Sequence, residues 1–213
     1  MALDLSEIIQ EPMPAGQFMD EAVSKVQIVL HHTASGPGSA GDLNTWRTTP
    51  EKVATAFVLE RSGQLVQTFS SAKWAYHLGC HHHRWPQHDR QSIGIEIDNW
   101  GALVKKGSKF YSWTGQEVPA DKIQVYAKPW RGSMYFEKYT AEQITALEDL
   151  IVYLCKKFKI PMGFDASIFE IKKEALDLVP GIFSHASYRT DKSDAHPQPE
   201  LLALGAKLKA MQP

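Results

Sequence analysis

The chain has 213 residues, of which 43% are hydrophobic and 22% charged, and its formal net charge is −1 with a pI of about 6.8. This is the profile of an ordinary globular protein with one sizeable core. Nucleic-acid binders and membrane-surface binders normally carry a basic patch, and no apolar run here approaches the ~20 residues that span a bilayer. We therefore expect neither a nucleic-acid partner nor membrane insertion.

The first sixteen residues contain acidic side chains and lack both a basic and an apolar segment, so a cleavable secretory signal is not predicted. The two cysteines, Cys80 and Cys155, form no CxxC pair, which is typical of a chain that matures in a reducing compartment. We expect synthesis in the cytoplasm.

Several short apolar runs predict strands in the first half of the chain. Residues 26–30 are β-branched and apolar and predict a buried strand. Residues 56–59 and 65–69 predict a hairpin whose turn is 61–63. Residues 92–97 predict another central strand, in which Gly94 leaves room for a close backbone neighbour.

Residues 101–138 are rich in Gly, Lys, Trp and Tyr, and we interpret them as an excursion of hairpins and loops. Thr140 and Gln143 then form a capping box that opens a helix over 140–158, with apolar residues at helical spacing. We expect a short helix at 170–178, a strand at 182–183 and a closing helix at 199–211. Strands interleaved with helices favour a central sheet with helices on its faces.

Three residues combine a strand-end or loop position with zinc-ligand chemistry. His31 ends the first strand, His185 begins the loop after strand 182–183, and Asp194 follows in that loop. Two imidazoles and a carboxylate leave a fourth tetrahedral position open, as in catalytic zinc sites. His and Asp are common in loops, so a strand-end histidine bonded only to backbone is the competing interpretation.

The wider pattern resembles the type 2 N-acetylmuramoyl-L-alanine amidases, the family that includes amidase-type phage lysozymes and peptidoglycan-recognition proteins. The matching stretches are 28–34 (IVLHHTA), 74–79 (WAYHLG), 92–96 (SIGIE), and Ser184-His185 through Lys192-Ser193-Asp194. They occur in the family's order and span about residues 26–200.

The resemblance implies one Zn²⁺ per chain, held by His31, His185 and Asp194. It also implies that Glu96 is the general base and that Lys192 stabilises the oxyanion. The implied fold is a single α/β domain over 1–213, with its core at about 26–210. A central mixed sheet flanked by helices would carry the zinc site in an open groove.

Other residues of these stretches remain open. His32 is an alternative first ligand, although side chains alternate along a strand and the family pattern favours His31. The cluster His81-His82-His83 lacks a partner motif for a second metal site. The resemblance places His77, Trp74 and Tyr76 along the substrate groove, with core packing as the competing interpretation for the aromatic residues. Ala195-His196 stands where relatives often have Pro-Gly, so this loop departs from the family's pattern at that turn.

The expected function is hydrolysis of the amide bond between N-acetylmuramic acid and L-alanine in peptidoglycan. We expect a lysin that acts on cell wall. The alternatives are a cytosolic amidase that recycles soluble anhydromuropeptides and a non-catalytic peptidoglycan-binding module. The chain has no HExxH helix, which argues against a zinc peptidase of that type.

Overall fold

A computed structural model describes residues 3–212 of the chain. The strands are β1 (Ile9–Gln10), β2 (Gln27–His32), β3 (Phe57–Leu59), β4 (Leu65–Gln67), β5 (Ser92–Ile97), β6 (Val104–Lys106), β7 (Lys109–Tyr111), β8 (Glu117–Val118), β9 (Ile123–Trp130), β10 (Ser133–Glu137) and β11 (Gly181–Ser184). The helices are α1 (Ala40–Thr48), α2 (Gln87–Gln91), α3 (Ala141–Phe158), α4 (Lys173–Leu176) and α5 (Pro199–Ala210).

The central sheet has six strands in the order β1-β4-β3-β5-β2-β11. Only β3 and β4 pair antiparallel, so the sheet is mixed, as expected. Strands β5, β2 and β11 run parallel to one another at one side of the sheet. Their carboxyl ends therefore meet at the same edge, which is where open α/β sheets place their sites.

The longest helix, α3, begins as the sequence predicts. Thr140 accepts from the backbone N–H of Gln143, and the Gln143 side chain accepts from the N–H of Thr140, which completes the capping box. The buried face of the helix includes Leu147, Ile151 and Leu154, at the predicted spacing. This face joins the main hydrophobic cluster together with α5 and the central sheet. The chain is therefore an α/β domain whose central sheet is flanked by helices.

Two local predictions need correction, and one helix was not predicted. Strand β2 continues through His31 to His32, so His31 lies inside the strand. The helix expected at 170–178 is only the single turn α4, because the N–H of Lys172 bonds to the carbonyl of Ser187 outside the segment and Leu178 takes a left-handed φ of 60°. Helix α1 was not predicted, since only Leu43 and Trp46 of its nine residues are buried.

Gly94 has the expected crowding, but side chains cause it. A Cβ at Gly94 would lie 2.6 Å from Cγ2 of Thr55 and 3.2 Å from Nδ1 of His77. A larger residue at this position of β5 would therefore push His77 aside.

The excursion forms two small sheets apart from the central one. Strands β6-β7-β8 make a three-stranded antiparallel sheet, and β9-β10 a two-stranded one. A second, small hydrophobic cluster of Leu103, Phe110, Val118 and Ile123 holds this region together. Cys80 and Cys155 are buried free thiols. Within residues 3–212, no helix is long and apolar enough to cross a membrane.

Candidate active site

His31, His185 and Asp194 come together at the carboxyl edge of the sheet. His31 lies near the end of β2, and His185 directly follows the neighbouring parallel strand β11. Asp194 lies nine residues further along the same loop. Parallel pairing of the two strands thus brings the histidines together although 154 residues separate them in the chain.

The three side chains present their donor atoms to one point. Nδ1 of His31 lies 3.1 Å from Nδ1 of His185 and 3.0 Å from Oδ2 of Asp194. Nδ1 of His185 lies 2.9 Å from the same Oδ2 atom. The two histidines are buried, whereas the Asp194 side chain is 15% exposed. The site therefore meets solvent at its carboxylate.

Hydrogen bonding fixes which nitrogen of His185 carries the proton. Nε2 of His185 lies 2.8 Å from the carbonyl oxygen of Leu78. A carbonyl oxygen only accepts, so Nε2 must donate, and the neutral ring then presents an unprotonated Nδ1 to Asp194 and His31.

A chain of hydrogen bonds assigns the same tautomer to His31. The Ser92 hydroxyl donates to the carbonyl of His88 at 2.6 Å and lies 2.8 Å from Nε2 of His77. Nε2 of His77 therefore donates to Ser92, and Nδ1 of His77 accepts from Nε2 of His31 at 2.9 Å. Nδ1 of His31 is then left with its lone pair.

The charges agree with this assignment. Burial is the main cause that lowers the pKa of His31, to about 4, so its ring is neutral at pH 7. Burial opposes ionisation of Asp194, yet the positive charge and hydrogen bonds that His185 and His31 supply when protonated hold the pKa of its carboxyl well below the usual range. With neutral rings, a metal ion would supply that positive charge instead.

This donor set fits a metal ion. Three electron-pair donors within 3.1 Å of one another repel unless a cation lies between them. Tetrahedral zinc with bonds of roughly 2.0–2.1 Å separates its ligands by about 3.4 Å, close to the separations here. Two neutral imidazoles and one carboxylate are also the ligand types that zinc accepts in catalytic sites.

Glu96 lies beside His31. The two residues are direct partners across the parallel pair β2-β5, so their side chains share one face of the sheet. Burial, followed by the charges of Asp194 and Asp42, raises the pKa of Glu96 well above its ordinary value. Its Oε2 atom is buried and accepts no hydrogen bond within the described part of the chain.

Lys192 lies in the loop between His185 and Asp194 and is partly buried. Its positive charge lowers the pKa of both His31 and Glu96, after the larger effect of burial on each. The ammonium group therefore lies within electrostatic range of His31 and Glu96.

His32 points away from the ligand cluster, in line with strand alternation. Its Nε2 would lie 2.4 Å from a Cβ placed on Gly101, so this ring packs against the start of the excursion. The rings of His82 and His83 lie 4.1 Å apart, and Nε2 of His88 faces the carbonyl of Leu176. Over residues 3–212, His31, His185 and Asp194 are the only group of three or more possible ligands that converges.

The three predicted groove residues lie in different surroundings. Both ring nitrogens of His77 are engaged, by His31 and Ser92, so this residue lies behind a ligand. Trp74 is only 8% exposed and packs edge-on against Tyr76. Tyr76 is partly exposed and stacks on Trp85, so it is the most accessible of the three for substrate.

The excursion braces the loop that carries Asp194. The Tyr126 hydroxyl lies 2.8 Å from Nδ1 of His196, and Nε2 of His196 donates to the carbonyl of Glu137. Arg131, at the tip of the β9-β10 hairpin, donates to the carbonyls of Ala186 and Thr190. Sequence reasoning missed these contacts, because nothing in the local pattern relates 123–137 to 186–196.

Fold and site together define an α/β domain that carries a His/His/Asp ligand set at the carboxyl edge of its parallel strands. The sequence model of a family described as N-acetylmuramoyl-L-alanine amidase matches residues 24–199. The chain therefore belongs to the N-acetylmuramoyl-L-alanine amidase family, and its enzymatic activity is that of an N-acetylmuramoyl-L-alanine amidase acting on peptidoglycan.

Solved structures share this fold. N-acetylmuramoyl-L-alanine amidase LysC from Clostridium intestinale URNW is 14% identical, with a TM-score of 0.54 over 95% of this chain and 97% of that chain. The endolysine N-acetylmuramoyl-L-alanine amidase LysCS from the same strain is 15% identical, with a TM-score of 0.54 and coverage of 96% and 97%. The catalytic domain of XlyA is 17% identical, with a TM-score of 0.54 and coverage of 95% and 97%. No curated protein sequence matches the chain.

Proposed function

We propose that this amidase depends on one zinc ion, held by His31, His185 and Asp194, and that it acts on polymeric cell wall. The observation that carries the zinc assignment is the convergence of three possible ligand atoms, Nδ1 of each histidine and Oδ2 of Asp194, at 2.9–3.1 Å from one another. When bound, zinc would polarise the scissile carbonyl and make the attacking water more acidic.

Glu96 is the general base of the proposed reaction. It accepts a proton from the water that attacks the lactyl-alanine carbonyl, and it returns a proton to the alanine nitrogen as the C–N bond breaks. The products are a lactyl carboxylate on the sugar and a peptide with a free amine. Burial favours this role, because it raises the pKa of Glu96 well above its ordinary value and so makes the carboxylate a stronger proton acceptor than an exposed one.

Lys192 stabilises the negative charge that develops on the carbonyl oxygen. Its ammonium group lies close enough to shift the pKa of Glu96 and His31. A fixed cation is worth more in the transition state, where the oxygen carries charge, than in the neutral substrate.

We assign His77 to the support of His31, and leave Tyr76 and Trp74 as proposed substrate contacts. A metal-binding histidine usually donates its second N–H to a fixed acceptor, which sets the ring orientation. Nδ1 of His77 is that acceptor, and Ser92 holds His77 in place from the other side. The backbone carbonyl of Leu78 does the same for His185.

Action on polymeric wall is supported by the similarity to a protein described as an endolysine amidase. The structural match covers 96% of this chain and 97% of that chain, so the similarity is not confined to a fragment of either protein. A cytosolic enzyme that recycles soluble anhydromuropeptides is the alternative role.

The test compares two substrates under identical conditions. Purified protein with zinc is incubated with intact sacculi and with soluble anhydromuropeptide, and new N-terminal alanine is measured by mass spectrometry. We expect faster release from sacculi. Faster release from the soluble compound would assign the chain to recycling, and sacculus binding without release would make it a binding module.

A further inference from the structure

The turn between β7 and β8 presents a tryptophan to solvent. Trp113 is 72% exposed, the highest value among the large hydrophobic side chains of residues 3–212. The turn is well defined: the N–H of Gly115 bonds to the carbonyl of Ser112, and the N–H of Gln116 to the Ser112 hydroxyl. Because the turn already holds the indole in an outward position, a ligand that binds it loses little free energy in ordering this side chain.

One edge of this indole is tied to the active-site strand. Nε1 of Trp113 donates to the carbonyl of Ala34 at 2.7 Å. Ala34 lies three residues after His31, so their Cα atoms are at most about 11 Å apart. Ala34 also has a φ of 55°, a left-handed conformation that a residue with a side chain rarely adopts and that clusters at functional sites. The exposed ring of the excursion is thereby fixed to the segment that directly follows the ligand strand.

A cleft of about 420 Å³ adjoins the same turn, within the size range of small-molecule sites. Its lining includes Gly36, Trp100, Gln116, Glu117 and Lys122. Trp100 packs over the backbone of Gly36, where a Cβ would lie 3.2 Å from its ring. An aromatic wall with amide, carboxylate and ammonium groups around it suits a ligand that has both C–H faces and hydroxyl groups.

We propose that Trp113 and this cleft form a saccharide subsite, which binds a sugar of the glycan strand beyond the muramic acid being cleaved. The proposal rests on the proposed function, because only polymeric substrate offers such a sugar. A protein partner is disfavoured by area: one tryptophan buries about 150–250 Å², far less than the ~800 Å² per side of a stable interface. The neighbouring strand β6 is exposed and carries Lys105 and Lys106, so the indole is not part of a broad apolar patch.

The kinetic test compares Trp113→Ala with wild type on two substrates. On sacculi we expect kcat/KM to fall roughly tenfold, the loss of one aromatic stacking contact. On N-acetylmuramoyl-L-alanyl-D-isoglutamine, which has no further sugar, we expect no change. Equal loss on both substrates, or no loss on either, would overturn the subsite.

Val104→Ala is the matched control, since Val104 is 54% exposed on the same three-stranded sheet, and we expect wild-type rates. A wild-type protein that releases peptide from neither substrate would refute the proposed function instead, so the two failures are distinguishable.

A binding measurement tests the site without turnover. The probe is the β-1,4-linked tetramer of N-acetylglucosamine, titrated into ¹⁵N-labelled protein while the six indole N–H resonances are followed by NMR. Trp113→Phe deletes one resonance and so assigns it. We expect saturable shifts of the Trp113 and Trp100 resonances. Shifts confined to the other indoles, or none at all, would contradict the proposal.

Discussion

The central sheet and the excursion at 101–138 are built on different scales. The central sheet belongs to a large hydrophobic cluster that includes the whole buried face of α3. The excursion has a cluster of only four buried residues, with Trp100 and Tyr135 packed against it. The proposed chemistry requires donor atoms fixed to within a few tenths of an ångström, and all of these atoms lie on or beside the central sheet.

The excursion supplies none of the proposed metal ligands or catalytic residues, and instead contacts the two segments that carry them. Trp113 contacts the segment that follows His31, while Tyr126 and Arg131 contact the segment around Asp194. A small satellite core is enough for this purpose, because contact with substrate tolerates more motion than metal binding does. The comparison predicts that damage to the two regions has different consequences.

The largest expected effect is loss of the metal. We expect chelation to abolish activity and added zinc to restore it, and His185→Ala to retain far less than one zinc per chain, because two ligands rarely hold zinc. Zinc content is measured by plasma mass spectrometry. His83→Ala, an exposed histidine, is the control and should keep its zinc. Stoichiometric zinc in His185→Ala would remove His185 from the ligand set.

Glu96→Gln should keep the metal and lose most of the rate. A positioned general base typically contributes about 10²–10⁴-fold, and the amide is similar in shape but not basic. The measurement is kcat on soluble muramyl peptide, with zinc content in parallel. Glu142→Gln, at an exposed position in the first turn of α3, serves as the control. Turnover near wild type in Glu96→Gln would mean that another group takes the proton.

Lys192→Ala should act on kcat more than on KM. Loss of one oxyanion donor costs about 10²–10³ in kcat, since the interaction is made mainly in the transition state. Steady-state kinetics at saturating zinc separate the two parameters, and the exposed Lys156→Ala gives the baseline. A raised KM with unchanged kcat would make Lys192 a substrate-binding residue.

Truncation of the two cores tests the comparison directly. Leu150→Ala, in α3, should lower the free energy of unfolding by about 2–5 kcal/mol. Phe110→Ala should cost less globally and instead raise hydrogen exchange within 103–123, because it opens the satellite cluster alone. Urea unfolding and hydrogen-exchange mass spectrometry measure these effects. Equal shifts of the urea midpoint would show that the excursion unfolds only with the central sheet.

The smallest effect at neutral pH concerns Lys25, which lies just before β2. Its ammonium group donates to the carbonyls of Arg90 and Ser92, and burial lowers its pKa to about 7. Between pH 7 and about 10.5 the unfolded chain binds a proton that the folded chain does not, so this group makes stability rise with pH there. Below pH 7 its unfavourable contribution is constant.

Lys25→Met should remove that rise, while near pH 7 the loss of two hydrogen bonds offsets the relief of the buried charge. The difference in unfolding free energy between wild type and Lys25→Met, followed from pH 7 to 10, measures the slope. A difference that does not change with pH would show that Lys25 is charged throughout this range in the folded protein.

Elements specified by short-range signals were predictable from the sequence. Helix α3 follows from its capping box and apolar spacing, and β5 from isoleucines at alternate positions. Helix α1 was missed because only Leu43 and Trp46 of its nine residues are large and apolar, which is too few to show a helical period. Helix α4 is shorter than predicted because the backbone N–H of Lys172 donates to the carbonyl of Ser187, which competes with an earlier helix start.

Residue types and the order of the motifs were sufficient to select five candidates, because both can be seen in the sequence alone. The candidates are His31, His185, Asp194, Glu96 and Lys192. Only the tertiary structure decided that His77 contacts His31 and that Trp74 is largely buried. Parallel pairing of β2 with β5 and β11 decides which side chains meet, and it joins residues up to 154 positions apart. The contact of Trp113 with Ala34 could not be predicted either, because it depends on how a separate small core packs against the sheet.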